Sequence, residues 1–66
     1  MTKWHYHIVD ASNKILHDSK KGVAKKGFDN PIAANSDGEL IMDMKYPGAA
    51  TYVKVYPEEI VPETHN

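Results

Sequence analysis

Two stretches alternate with period two, one near each end of the chain. Residues 3–10, KWHYHIVD, send Trp4, Tyr6 and Ile8 to one side and His5, His7 and Val9 to the other. Residues 51–56, TYVKVY, send Thr51, Val53 and Val55 one way and Tyr52, Lys54 and Tyr56 the other. Aromatic and β-branched residues in this alternation form strands. With 66 residues in total, the chain has room for one domain. A domain of this size buries only about 60% of its unfolded surface and is marginally stable. It contains no cysteine, so neither a disulfide nor a thiolate is available. That absence points to the cytoplasm, because small secreted domains rely on disulfides. No signal-peptide pattern opens the sequence, and no apolar run approaches the ~20 residues that span a bilayer.

Between the two runs the reading is less regular. ASNK makes a turn centred on Ser12 and Asn13, and KILHDS returns as a second strand to close a hairpin. KKGVAKKG, residues 20–27, is a loop broken by Gly22 and Gly27. FDNPIAAN admits a short edge strand, with Pro31 unable to donate to a ladder. In SDGEL, Ser36 and Glu39 have the spacing of a reciprocal cap, which predicts a helix starting at Asp37. Pro47 ends that helix after about two and a half turns. Pro47–Gly48 suits a type II turn, and TYVKVY follows as the last strand. The expected fold is α+β: a small two-layer β-β-(β)-α-β domain over residues 1–57, with one short helix packed on an antiparallel sheet. Residues 58–66 form an acidic, flexible tail. The expected core draws on Ile8, Ile15, Leu40, Ile41, Met44, Val53 and Val55, with one or two aromatic rings.

Reactive constellations are scarce. His5, His7 and His17 would suit zinc if they shared a face. A two-residue turn puts His17 opposite Ile8, away from His5 and His7, so no metal or cofactor is expected. His5 and His7 read as strand residues facing water. Asp10, Asp18, Asp29, Asp37, Glu39 and Asp43 offer carboxylates, but a 66-residue layer of sheet leaves little room for a cleft to converge them. No glycine-flanked nucleophile elbow surrounds Ser12 or Ser36. An enzyme is not expected.

Net charge is −1, from eight lysines and nine acids, with no arginine. Without arginine the chain lacks the usual bidentate reader of guanine and phosphate. Lys20, Lys21, Lys25 and Lys26 still form a cationic loop, flanked by Asp18 and Asp29. Four phosphate contacts would give weak binding to nucleic acid, falling roughly a hundredfold between 50 and 200 mM salt. The loop is no Walker motif, because it runs into Phe28 and not into a helix. The rings of Trp4, Tyr6, Tyr46, Tyr52 and Tyr56 are more than so small a core can hide. Tyrosine and tryptophan are enriched at binding hot spots.

From Pro31 onward, PIAANSDGELIMDMKYPGAATYVKVYP resembles the latter half of the small RNA polymerase inhibitors of short-tailed coliphages. The shared features are a capped acidic helix, an aromatic-and-proline turn and a strand closing on proline. The resemblance implies the same architecture and a role in blocking a host complex. That family's last strand carries two basic residues that meet the polymerase. The matching positions here hold Lys54 and Tyr56, so one charge is kept, and the lysine loop has no counterpart.

The resulting expectation is a small non-enzymatic protein-binding module, of the kind by which a phage or mobile element inhibits a host protein or protein complex. Trp4, Tyr52, Lys54 and Tyr56 are its expected anchors. The alternative is a weak nucleic-acid binder using Lys20, Lys21, Lys25 and Lys26. Unpaired strand edges would also allow two copies to pair.

Overall fold

The computed structural model describes residues 2–60. One helix packs on a three-stranded antiparallel sheet, giving a small α+β domain. The strands are β1 (Trp4–Asp10), β2 (Ile15–Asp18) and β3 (Thr51–Pro57), in the order β2-β1-β3. A 3-10 turn, Ser19–Lys21, follows β2, and the helix α1 spans Pro31–Lys45. β1 is therefore central and β3 takes one edge, each β1 residue from Trp4 to Asp10 pairing with β3 from Pro57 back to Thr51. Residues 58–60 of the expected tail are described, and the Glu58 amide donates to the Lys3 carbonyl at 2.8 Å. The remaining tail positions, 61–66, lie outside the described residues.

The hairpin turn differs from the expected one in a way that cancels. The loop has three residues, Ala11–Asn13, closed by the Asp10 amide on the Lys14 carbonyl at 3.0 Å. Asn13 takes the left-handed conformation, φ 68°, that such a loop requires and that asparagine tolerates. Val9 pairs with Ile15 but Ile8 pairs with His17, so Leu16 is an extra bulged residue. The bulge restores the register that a two-residue turn would have set, and His17 does lie opposite Ile8. The Leu16 carbonyl accepts the Tyr46 hydroxyl at 3.1 Å. Beyond the end of β2, the buried Ser19 hydroxyl accepts the Tyr6 amide at 3.0 Å. Farther along the same edge, Trp4 and Phe28 exchange two backbone bonds of 2.8 Å. That single bridge is all that the expected strand around FDNPIAAN amounts to.

The helix begins six residues before the expected start. Asn30 is extended and its side-chain oxygen accepts the Ala33 amide at 2.8 Å, with Pro31 at the first helical position. Proline suits that position because its missing N–H has no partner to lose. Ser36 and Glu39 are thus interior, and Glu39 accepts from the Asn35 side chain instead of closing a capping box. Asn30→Ala should cost about 1 kcal/mol, within the usual 0.5–2 kcal/mol for a lost cap, measured by urea denaturation.

Of the four rows of side chains on α1, each spaced by four residues, three decide how it packs. Ala34, Gly38 and Met42 meet the sheet, and Ala34 and Gly38 are buried. Asp37, Ile41 and Lys45 line one flank. Ile32, Ser36, Leu40 and Met44 face outward. The expected core placement of Leu40 and Met44 is thus overturned, since they are 58% and 67% exposed. The core is Tyr6, Ile8 and Ala34, with Trp4, Phe28, Ile41, Met42, Tyr46, Val53 and Val55 packed around it. Small residues inward let the helix approach closely: a Cβ on Gly38 would lie 2.6 Å from Val53 Cγ1 and 3.1 Å from Tyr6 Cδ1.

Candidate interaction surface

The four expected anchors do not form one exposed patch. Tyr52 is 58% exposed and Lys54 is exposed, its ammonium on the Asn13 side-chain oxygen. Trp4 is half-buried against the core. Tyr56 is only 6% exposed, so it does not present its ring to a partner as expected. Burial and the charge of Asp18 push its hydroxyl pKa up to about 12. The reason is topological. With β1 in the middle, rings on β3 lean over the central strand, and Tyr56 lies between His5 and His7, at ring distances of 5.8 and 5.0 Å.

The same topology corrects the expectation that His5 and His7 face water. They are 1% and 5% exposed. His5 Nε2 is 3.0 Å from Glu58 Oε1, and Gly27, at φ +86°, backs so closely that a Cβ there would lie 2.8 Å from His5 Cε1. His7 Nε2 is 3.5 Å from Asp18 Oδ2 and 3.4 Å from the Tyr56 hydroxyl. His17 is on the helix side, stacked on Tyr6 at 6.0 Å. Among the described residues no group of three or more His, Asp or Glu could hold a metal ion.

The lysines are also divided. Lys20 Nζ lies 5.3 Å from the centroid of the Tyr56 ring, a cation–π contact on the sheet face away from the helix. Lys21, Lys25 and Lys26 are exposed. No helix among the described residues is long and apolar enough to cross a membrane.

Two features were not anticipated. The first is a cleft of about 420 Å3 between the 19–28 connection, the Asp37–Ile41–Lys45 row and the Tyr6 and His17 rings. It is larger than expected of a layer with little room for one, and Asp37 is the carboxylate that lines it. Inside it the Tyr6 hydroxyl donates to Asp37 Oδ2 at 2.7 Å. Burial first, then the hydrogen bond to Asp37 and its charge, hold that hydroxyl protonated well above the ordinary tyrosine range. Asp37 therefore serves as the acceptor that satisfies a buried ring.

The second is the outward row of α1. Ile32 is 77% exposed, Leu40 58% and Met44 67%. Three large apolar side chains on one solvent-facing row, above a buried row of alanine and glycine, invert the usual amphipathic helix. Part of the signal was available in Asn30–Pro31, the cap and first residue that bring Ala34 into the helix one turn before Gly38. Set against known protein families, curated proteins and solved structures, the chain matches none of them.

Proposed function

We propose that the chain is a small non-enzymatic protein-binding module whose principal contact is the outward row of α1. The observation that carries this reading is the exposure of Ile32, Leu40 and Met44 together on a single helix ridge. Exposed leucine alone is ordinary, but a row of large apolar side chains on one face marks an interaction site. Ridges spaced by four residues fit the grooves of a second helix. The partner is accordingly a protein with an apolar helical groove, and inhibition of a host complex by occupying such a groove is the form that the phage resemblance implies. Tyr52 and Lys54 form a separate, smaller patch on the other face of the sheet.

The test is capture from a lysate of the source cell by immobilised protein, identified by mass spectrometry, alongside Leu40→Asp. Position 40 faces solvent, so the variant should keep the wild-type circular dichroism and urea midpoint while losing the captured protein. Tyr52→Ala should weaken capture by less than Leu40→Asp. Equal capture by wild type and Leu40→Asp, or no specific capture at all, would refute the reading.

A further inference from the structure

The sheet face away from the helix buries a polar cluster that the proposed contact does not use. Its centre is His7, with Tyr56 beside it. Groups face His7 from every neighbouring element: His5 two residues along β1, Asp18 from β2, Lys20 and Lys21 from the 3-10 turn, and Tyr56 and Lys54 from β3. Its Nε2 has the Asp18 carboxylate and the Tyr56 hydroxyl within 3.5 Å. Its Nδ1 is buried with no hydrogen-bond partner. A neutral imidazole tolerates this arrangement, because an unpartnered acceptor nitrogen costs little compared with a charge. An imidazolium must donate from both nitrogens, and the Nδ1 proton would point at nothing. It would also sit beside Lys20, which lies on the Tyr56 ring.

The element that can yield is the 3-10 turn. It is three residues long, held by the Asp18 side chain accepting the Lys20 amide at 2.9 Å and by the Ser19 hydroxyl on the Tyr6 amide. Asp18 itself gains from a charged His7, so the lysine side is where the conflict is relieved. We propose that His7 is a proton-operated latch: on protonation, Ser19–Lys21 and the lysine loop detach from the sheet, exposing the Tyr56 face and removing one wall of the cleft, while β1, β3 and α1 stay paired.

Burial, outweighing the opposing pull of Asp18, lowers the His7 pKa. The latch is therefore shut above the ordinary histidine value of about 6.5 and opens as pH falls below it.

Amide hydrogen exchange followed by NMR tests this, with rates corrected for the intrinsic pH dependence. The Tyr6 amide is the probe, since its partner is the Ser19 hydroxyl. Between pH 7.5 and 5.5 its protection should fall several-fold, towards the tenfold limit that one proton binding an open-state imidazole of pKa about 6.5 allows, while amides in the middle of α1 change less than twofold. In His7→Asn, which cannot charge, the Tyr6 amide should show no such fall. Should that variant not fold, the wild-type His7 ring can be titrated directly, and its carbon shift should follow the same curve as the Ser19 and Lys20 amides. The proposal is overturned if Tyr6 and α1 lose protection together, if the fall persists in His7→Asn, or if the ring and the turn titrate apart.

Discussion

Gly38→Ala destabilises the protein by about 1–3 kcal/mol, the usual range for overpacking a filled core. Intrinsic helix propensity argues the other way, since alanine in a helix is favoured over glycine by about 1 kcal/mol. Contact distance decides between them. The added Cβ would meet Val53 Cγ1 at 2.6 Å, and Val53 is held by its pairing with Ile8 in the central strand. The valine cannot swing clear without leaving that pairing face, and on the other side Tyr6 Cδ1 stands at 3.1 Å. Gly38→Val adds two methyl groups in the same gap and should leave no cooperative unfolding transition. Ser36→Ala, two residues earlier on the exposed row, is the control and should be neutral or slightly stabilising. Urea denaturation of the three variants against wild type separates sterics from propensity. A more stable Gly38→Ala would show that the helix does not sit this close to the sheet.

Tyr6→Ala carries the other large effect. Tyr6 is 1% exposed and occupies the core centre, in ring contact with Phe28 and His17. Truncating a buried aromatic ring costs about 3–5 kcal/mol. A chain of 66 residues has only about 3–10 kcal/mol of total stability at typical values per residue, so the variant should be largely unfolded at 37 °C. Tyr6→Phe keeps the ring and removes only the donor to Asp37. It should cost about 1–2 kcal/mol, because Asp37 is half-exposed and water can replace the hydroxyl. The difference between the two variants measures the ring's share of the core. If Tyr6→Phe proved as damaging as Tyr6→Ala, the hydrogen bond and not the ring would hold the cleft together.

Much of this architecture could be read from residues alone. Alternation located β1 and β3 within a residue or two, and the one-helix, antiparallel α+β plan is the one observed. The error lay in where α1 starts and in which of its faces is buried. Ser36 and Glu39 have the spacing of a cap, but local spacing cannot tell an N-terminus from an interior turn. Asn30 and Pro31 compete for the same role, and they prevail because they add six helical residues, Pro31–Ser36, that include the buried Ala34. The added turns bring Ala34 in line with Gly38, and packing that row on the sheet leaves Leu40 and Met44 on the surface. Strand order was the second hidden quantity. Nothing in KWHYHIVD reveals that β1 will be flanked on both sides, yet that is what buries His5, His7 and Tyr56. The cleft depends on the path of the 19–28 connection, which has no periodicity to read.

On the proposed reading, a partner binds the outward row of α1. Methyl NMR of the protein with and without its captured partner tests it most directly. The Ile32, Leu40 and Met44 methyl signals should shift or broaden on binding, while those of the buried Ile8 and Val9 hold their positions. Perturbation confined to β3 or to residues 20–27, with the three helix methyls unmoved, would contradict it.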